Sequence, residues 1–276
     1  MSSARVNGIT LHYERTGRGP AVVLLSGLGA DGHFWYRQVP ALAARFQVIT
    51  VDNRGAGRSE APDVPYTLRM MADDVVELLD AMKLRAAHVV GASMGGFIAQ
   101  EFALAYPDRV DRLVLCCTSP GGPASAPIPD ETLQVLRHRT GDPEQDLRTF
   151  LALQFATDYP VTHTRDIDAY VAWRVAHPQP GYAYQRQLAA ATAHDAAGRL
   201  QALRGPVLVL HGTQDRVVPA ANAHLLVSTI PGARLHLFQG GHLFLWEHAD
   251  EANRLIMEFL GAHDGARDGV GETSTA

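Results

Sequence analysis

Three residues far apart in the chain, Ser93, Asp215 and His242, have the types that nucleophilic catalysis needs. Ser93 is the centre of Gly91-x-Ser93-x-Gly95 in "HVVGASMGG", a G-x-S-x-G. A serine hydroxyl is a weak nucleophile until a base takes its proton, and an imidazole serves as that base when an acid orients it. Asp215 in "LVLHGTQDRVVP" offers the acid and His242 in "FQGGHLFLWEH" the base. The bare pentapeptide is a weak signal, and its setting strengthens it. A strand-like run enters the motif and a helical run leaves it. A serine there sits on a sharp turn with its hydroxyl above the sheet edge, and glycines two residues to either side make room for the turn. The acid and the base also follow strand-like runs, so all three belong to one edge of a sheet.

A second constellation competes for a different chemistry. "VVLLSGLGADG" carries Gly27, Gly29 and Gly32, a G-x-G-x-x-G, and Asp52 follows Gly32 by twenty residues. That is the spacing of a dinucleotide-binding loop with its ribose-binding acid. Such a reading leaves the serine, acid and histidine unexplained, and a hairpin ahead of the loop is unusual for it. Asp52 is therefore read as a loop-ordering carboxylate beside Arg54. Among the 13 histidines, His88 and His211 fall in or at the end of strands and read as packed, hydrogen-bonded residues. His248 starts the last helix and reads as a cap or surface residue. No H-E-x-x-H or similar spacing occurs, so neither a metal nor a cofactor is expected.

The positioning elements alternate. "VNG" followed by the alternating "ITLHYER" predicts an N-terminal hairpin. Strands "AVVLLS", "FQVITVD", "AAHVVGAS" and "RLVLCC" then alternate with helices near His33–Ala44, Leu68–Lys83 and Met94–Ala105. Short, continuous, β-branched runs are those of parallel strands covered on both faces, and the alternation predicts an α/β sheet with right-handed crossovers. The pattern breaks at the Pro/Gly/Ser stretch "TSPGGPASAPIP". Residues 119–200 then contain helical patches and no convincing strand. Strands resume with "GPVLVLHG" and "ARLHLFQGG", separated by a helix over Ala220–Thr229, and a last helix covers Ala249–Leu260. The domain reading is a core over 1–118 and 201–262, a helical insertion over 119–200, and a disordered tail over 263–276, rich in Gly, Ala and polar residues. An insertion at the catalytic edge must lie over the nucleophile as a cap. Trp173 and Phe155 are its bulky candidates for selecting substrate. Trp173, Tyr182 and Tyr184 read as pocket wall or helix packing. Arg137, Arg139, Arg148, Arg165, Arg174 and Arg186 read mainly as solvated faces, with a substrate carboxylate as the alternative partner.

Composition narrows the partners. With 24 Lys+Arg against 29 Asp+Glu the net charge is −5. Without a basic cluster this argues against nucleic acid and anionic membranes. Cys116 and Cys117 are neighbours in one strand and point to opposite faces, so they read as core thiols in a reducing compartment. No apolar leader region and no membrane-length apolar run is visible, and a cytoplasmic location is expected. The oligomeric state stays open.

Five segments in order resemble the α/β-hydrolase fold superfamily over nearly the whole chain. "LLSGLGADGHFW" is similar to its oxyanion loop, "VDNRGAGRS" to its D-x-R-G-x-G-x-S segment, "GASMGG" to its nucleophile elbow, "GTQDRVVP" to its acid loop and "GGHLFLWEH" to its histidine loop. The order Ser93, Asp215, His242 is that of the fold. Two departures stand out. The loop begins Ser26-Gly27 where His-Gly is frequent, and Ala92 precedes the serine where histidine is frequent. The resemblance implies a mostly parallel central sheet with helices on both faces and a helical cap. It also implies an oxyanion hole from the backbone N–H groups of Leu28 and Met94. The activity implied is hydrolysis of a small-molecule carboxylic ester or lactone through an acyl-enzyme, and the "SGLG" loop resembles enol-lactone hydrolases and small esterases. Serine at the elbow argues against dehalogenases and epoxide hydrolases, whose nucleophile there is aspartate. Two alternatives remain. One is C–C bond hydrolysis or cofactor-free perhydrolysis by the same triad; the other is a ligand-binding homologue without turnover.

Overall fold

A computed structural model describes residues 2–137 and 140–262. The expected tail over 263–276 and Arg139 lie outside the described residues. The first two strands, β1 (Ser2–Val6) and β2 (Ile9–Thr16), form the hairpin. Asn7 and Gly8 have φ of 43° and 79°, the left-handed pair that a two-residue I′ hairpin turn requires. The remaining strands are β3 (Ala21–Leu25), β4 (Gln47–Val51), β5 (Ala87–Ala92), β6 (Val110–Cys116), β7 (Val207–Gly212) and β8 (Arg234–Phe238). They form one eight-stranded sheet in the order β1-β2-β4-β3-β5-β6-β7-β8. The pairs β1–β2 and β2–β4 are antiparallel and the rest are parallel. Every residue of β3, β5 and β7 is buried, which is why those strands read as apolar runs interrupted only by His88 and His211.

Helices α1 (Val39–Leu42), α2 (Leu68–Ala81), α3 (Met94–Ala105), α9 (Ala221–Thr229) and α11 (Ala249–Leu260) cover the two faces, each over its own apolar cluster. Thr67 caps α2 by accepting the Met70 N–H. Between β6 and β7 lie α4 (Asp130–Arg137), α5 (Pro143–Gln154), α6 (Tyr159–Thr162), α7 (Thr164–Ala176) and α8 (Gly181–Thr192); α10 (Phe244–Glu247) follows β8. The two ends of this inserted stretch pair with each other. Gly122 N donates to His194 O at 2.9 Å and Ala196 N to Pro120 O at 2.8 Å.

The expected helix over His33–Ala44 is not continuous. Asp31 accepts the His33 N–H and starts a 3-10 turn over Gly32–Trp35, and only the short α1 follows, with Pro40 in its first turn. Proline has no N–H to carry a helix through that point.

Strand order reverses around β3: its successor β4 lies on one side and β5 on the other. In open parallel sheets ligands bind at the carboxyl ends of the strands flanking such a switch point. The loops leaving β3 and β5 are those of Gly27–Gly32 and of Ser93.

Candidate active site

Ser93 sits between β5 and α3 with φ 55° and ψ −119°. This backbone is strained for a residue with a side chain. Its side chain makes no helix-capping bond, so it is not a plain N-cap. The flanking glycines are required by contact. A Cβ on Gly91 would lie 2.3 Å from Gly95 O, and one on Gly95 would lie 2.0 Å from Leu25 O. The turn is thus wedged against β3. Ser93 N donates to Cys116 O at 2.9 Å, tying the turn to β6. Met94 opens α3, so its N–H has no intrahelical acceptor. Among the described residues neither that N–H nor the Leu28 N–H donates within the protein.

Asp215 follows β7 and His242 follows β8. His242 Nδ1 lies 2.7 Å from Asp215 Oδ2. Asp215 Oδ1 accepts the N–H groups of Val217 and Val218, both at 2.8 Å. The side chains of Asp215 and His242 are 0% and 4% exposed, so the pair is nearly dry. Burial alone would raise the Asp215 carboxyl, but the neighbouring His242 and His211 outweigh it and bring it down to about 2. His211 Nε2, 3.2 Å from Oδ2, also meets Val218 O at 2.8 Å. The sequence reading of His211 as packed and hydrogen-bonded missed its contact with the acid. Its position four residues before Asp215, at a strand end, was the available signal. His88 is buried in β5, and His248 Nε2 meets Gln239 O at 3.1 Å.

The glycine loop serves the serine side. Gly27 packs on Ser93, since a Cβ there would lie 3.2 Å from Ser93 Cβ. Gly27 O accepts Ala30 N at 3.1 Å, closing a turn whose third residue, Gly29, has φ 70°. Gly32 N donates to Asp52 Oδ1 at 2.8 Å. The spacing of twenty residues therefore brings a glycine amide to a carboxylate that orders the loop. The cation beside Asp52 is Arg58, whose N and Nε approach Oδ2 at 2.9 and 3.2 Å. Arg54 turns away to make two hydrogen bonds to buried Asp74, at 2.9 and 2.6 Å. The expected Asp52–Arg54 neighbourhood is corrected in that respect.

Ser93 and His242 line one cavity of about 800 Å³ together with Leu28, Met94 and residues of α4, α5, α7 and α8. Among the described residues no hydrogen bond joins Ser93 to His242. Apolar side chains such as Leu136, Leu147, Phe150 and Leu188 make much of the wall. Of the inserted aromatics picked out from sequence, Tyr184 lines the cavity, while Trp173, Phe155 and Tyr182 do not. Trp173 Nε1 donates to Asp31 Oδ2 at 2.9 Å, Phe155 stacks on Tyr159, and Tyr182 is exposed with its hydroxyl on Ala61 O. Of the arginines, Arg137 and Arg174 line the cavity. Arg148 pairs with Glu144 and Asp168, and Arg186 with Asp63. The expected pocket wall was therefore partly misassigned, because a large ring in a helix does not disclose which neighbour it packs on.

A family model for the alpha/beta hydrolase fold matches residues 20–249. A 2-hydroxy-6-oxononadienedioate/2-hydroxy-6-oxononatrienedioate hydrolase of Paraburkholderia phymatum is 32% identical over 92% of this chain and 91% of its own. The enol-lactonase of Burkholderia xenovorans LB400 superposes with a TM-score of 0.85 at 30% identity, over 95% of this chain and 100% of that one. A thermophilic esterase of Thermogutta terrifontis reaches 0.82 at 27%, over 95% and 98%. With such a match over most of its length, the chain belongs to the α/β-hydrolase fold family, and it is a hydrolase.

Proposed function

We propose that the protein hydrolyses a carboxylic ester or lactone of a largely apolar small molecule through Ser93, His242 and Asp215. The supporting observation is the dry Asp215–His242 pair, 2.7 Å apart, on a cavity that also receives the strained Ser93. Asp215 holds the proton on Nδ1, which leaves Nε2 free to act as base. Substrate entry brings Ser93 Oγ and Nε2 together, since catalytic hydrogen bonds commonly tighten only in the complex. His242 takes the serine proton while Oγ attacks the carbonyl. The oxyanion is held by the N–H groups of Leu28 and Met94, each worth about 3 kcal/mol in such a hole. Collapse of this intermediate breaks the bond to the alcohol, which leaves with the proton from His242. Water, deprotonated by His242, then attacks the acyl-Ser93 and restores the serine.

The helices between β6 and β7 act as the cap in this reading, and their paired ends, Gly121–Gly122 with His194–Ala196, are where the cap would pivot. A substrate partner of small size follows from the cavity.

A second reading is favoured by the relative from Paraburkholderia phymatum. The compound in its name has a ketone, an enol and two carboxylates but no ester, so a hydrolase of it must add water across a carbon–carbon bond. The same serine would attack the ketone, and the leaving group would be a carbon stabilised as its enol. One experiment separates the two: esters, lactones and such oxo-dienoates assayed with wild type and with Ser93→Ala. Serine-dependent turnover of esters or lactones above that of the oxo-dienoates supports the first reading, and the reverse ranking supports the second. Turnover of neither class would overturn both.

A further inference from the structure

We infer that Gln187, on α8 of the inserted stretch, is a positioning residue for the oxyanion hole, so that the hole is completed only when the insertion is seated on the sheet edge. This rests on the assignment of the Leu28 and Met94 N–H groups above. Gln187 is 0% exposed, and a buried amide needs partners for its donors and its acceptor. Its Oε1 accepts Gly29 N at 3.0 Å and Gln179 Nε2 at 3.1 Å, and its Nε2 donates to Arg54 O at 2.7 Å. Gln179 Nε2 also meets Gly55 O at 2.8 Å. One glutamine therefore bridges the glycine loop after β3 to the loop after β4.

The bridged amide is the one that matters. Leu28 and Gly29 are the central residues of the turn closed by Gly27 O and Ala30 N. Gln187 holds the Leu28–Gly29 peptide plane, which joins the plane carrying the Leu28 N–H through a single Cα. With φ 70° at a glycine, the central peptide has little intrinsic barrier to reorientation, because glycine occupies both signs of φ. Gln187 supplies the restraint that the sequence of the turn does not. Two further insert residues act on the same loop: Arg174 donates to Gly29 O at 2.5 Å and Trp173 to Asp31 at 2.9 Å. The contact is close, since a Cβ on Gly29 would stand 3.0 Å from Gln179 Oε1 and 3.2 Å from the Tyr184 ring. An oxyanion donor works only when held near its productive place before the charge forms.

The test uses Gln187→Met, which keeps the length and removes both hydrogen-bonding groups, and Gln187→Glu, which keeps an acceptor for the Gly29 N–H. The readouts are kcat and KM on one ester, and the affinity of an aryl trifluoromethyl ketone, which adds Ser93 Oγ and leaves an oxyanion in the hole. The expected result for Gln187→Met is a loss in kcat of roughly 30-fold, KM within about twofold, and ketone affinity weakened by the same factor as kcat/KM, with Gln187→Glu recovering most of each. A loss confined to KM or to Tm, with ketone affinity kept, would show that Gln187 only packs the insertion and would overturn the inference. If the Met variant does not fold, Gln187→Ala takes its place with the same readouts: a matched loss of kcat and ketone affinity supports the inference, and kept ketone affinity overturns it. If the wild type fails to bind the ketone through Ser93, the oxyanion assignment itself falls and takes the inference with it.

Discussion

The proposed acid–base half of the site and its proposed oxyanion half are anchored by different means. Asp215 and His242 are 27 residues apart on the loops of neighbouring strands β7 and β8. Their carboxylate is fixed by N–H groups only two and three residues further along the chain. The glycine loop after β3 is held by Asp52 and, in addition, by Trp173, Arg174 and Gln187, which come 142 to 158 residues later. The insertion reaches the flanks of the first half too, where Leu243 N donates to Gln154 O at 2.9 Å and Arg216 to Ala152 O and Phe155 O at 2.9 and 3.2 Å. It bonds the turn itself only in the second, so that is the half that a conformational step can open and close.

The most drastic way to test the division is to remove the nucleophile both halves serve. Ser93→Ala is expected to lower kcat by about 10⁶, as for other serine triads, with Tm unchanged because the serine side chain caps nothing. A fluorophosphonate should label Ser93 in the wild type; labelling elsewhere would break the assignment. Asp215→Asn comes next, with a loss of about 10⁴ from the wrong histidine tautomer. The native carboxyl, held at about 2, stays ionised through the working range. No part of the acid limb of kcat/KM should therefore come from this carboxyl. The same depression has a stability consequence. A carboxyl lowered in the folded state contributes stability above its unfolded value of about 3.9, and that contribution is lost as pH falls toward 2. Wild-type Tm should drop more steeply than that of Asp215→Asn between about pH 4 and pH 2. Parallel curves would mean that the carboxylate does not differ between folded and unfolded protein.

The locally anchored half is also the half that could be read from the sequence. β5, β7 and the residues just past them stand out because strands buried on both faces are apolar but for one histidine each, His88 and His211. Helix α11 matches its expected bounds, Ala249–Leu260, because its apolar positions recur on one side only. What was illegible is what depends on distant packing. Gln187 lies in "YAYQRQLAAATA", where an amide looks like part of a solvated face, and only the tertiary fold buries it. Arg54 is nearer to Asp52 in sequence than Arg58 is; the choice of Arg58 follows from Asp74 on α2 claiming Arg54. Trp173 was expected at the cavity but reaches Asp31 and stacks on His33 instead.

Trp173 offers a smaller perturbation confined to the oxyanion half. Trp173→Phe keeps most of the ring contact with His33 and removes the hydrogen bond to Asp31. A bond of this kind contributes about 1 kcal/mol, so kcat should fall by about fivefold. The factor by which Asp215→Asn lowers kcat should be the same in the Trp173→Phe background. A change in that factor would mean the two halves are not separately anchored.

The smallest effect on turnover is expected at the cavity wall, and it separates wall from support. Phe150 lines the cavity and Phe155 does not, although both are phenylalanines near the end of α5. Phe155 is 4% exposed and packs on Tyr159 and Trp246, so Phe155→Ala should cost about 3 kcal/mol of stability by leaving a void. Substrate ranking should not change. Phe150→Ala should do the reverse. Removing apolar wall is worth about 1–2 kcal/mol toward the group it touches, so KM for a bulky ester should rise by roughly tenfold while a short ester and a small Ser93 probe respond little. The check is KM for an acetate and a bulky aryl ester with both variants, beside their melting curves. Equal responses of both esters to Phe150→Ala would mean that the inserted helices shelter the serine without selecting what reaches it.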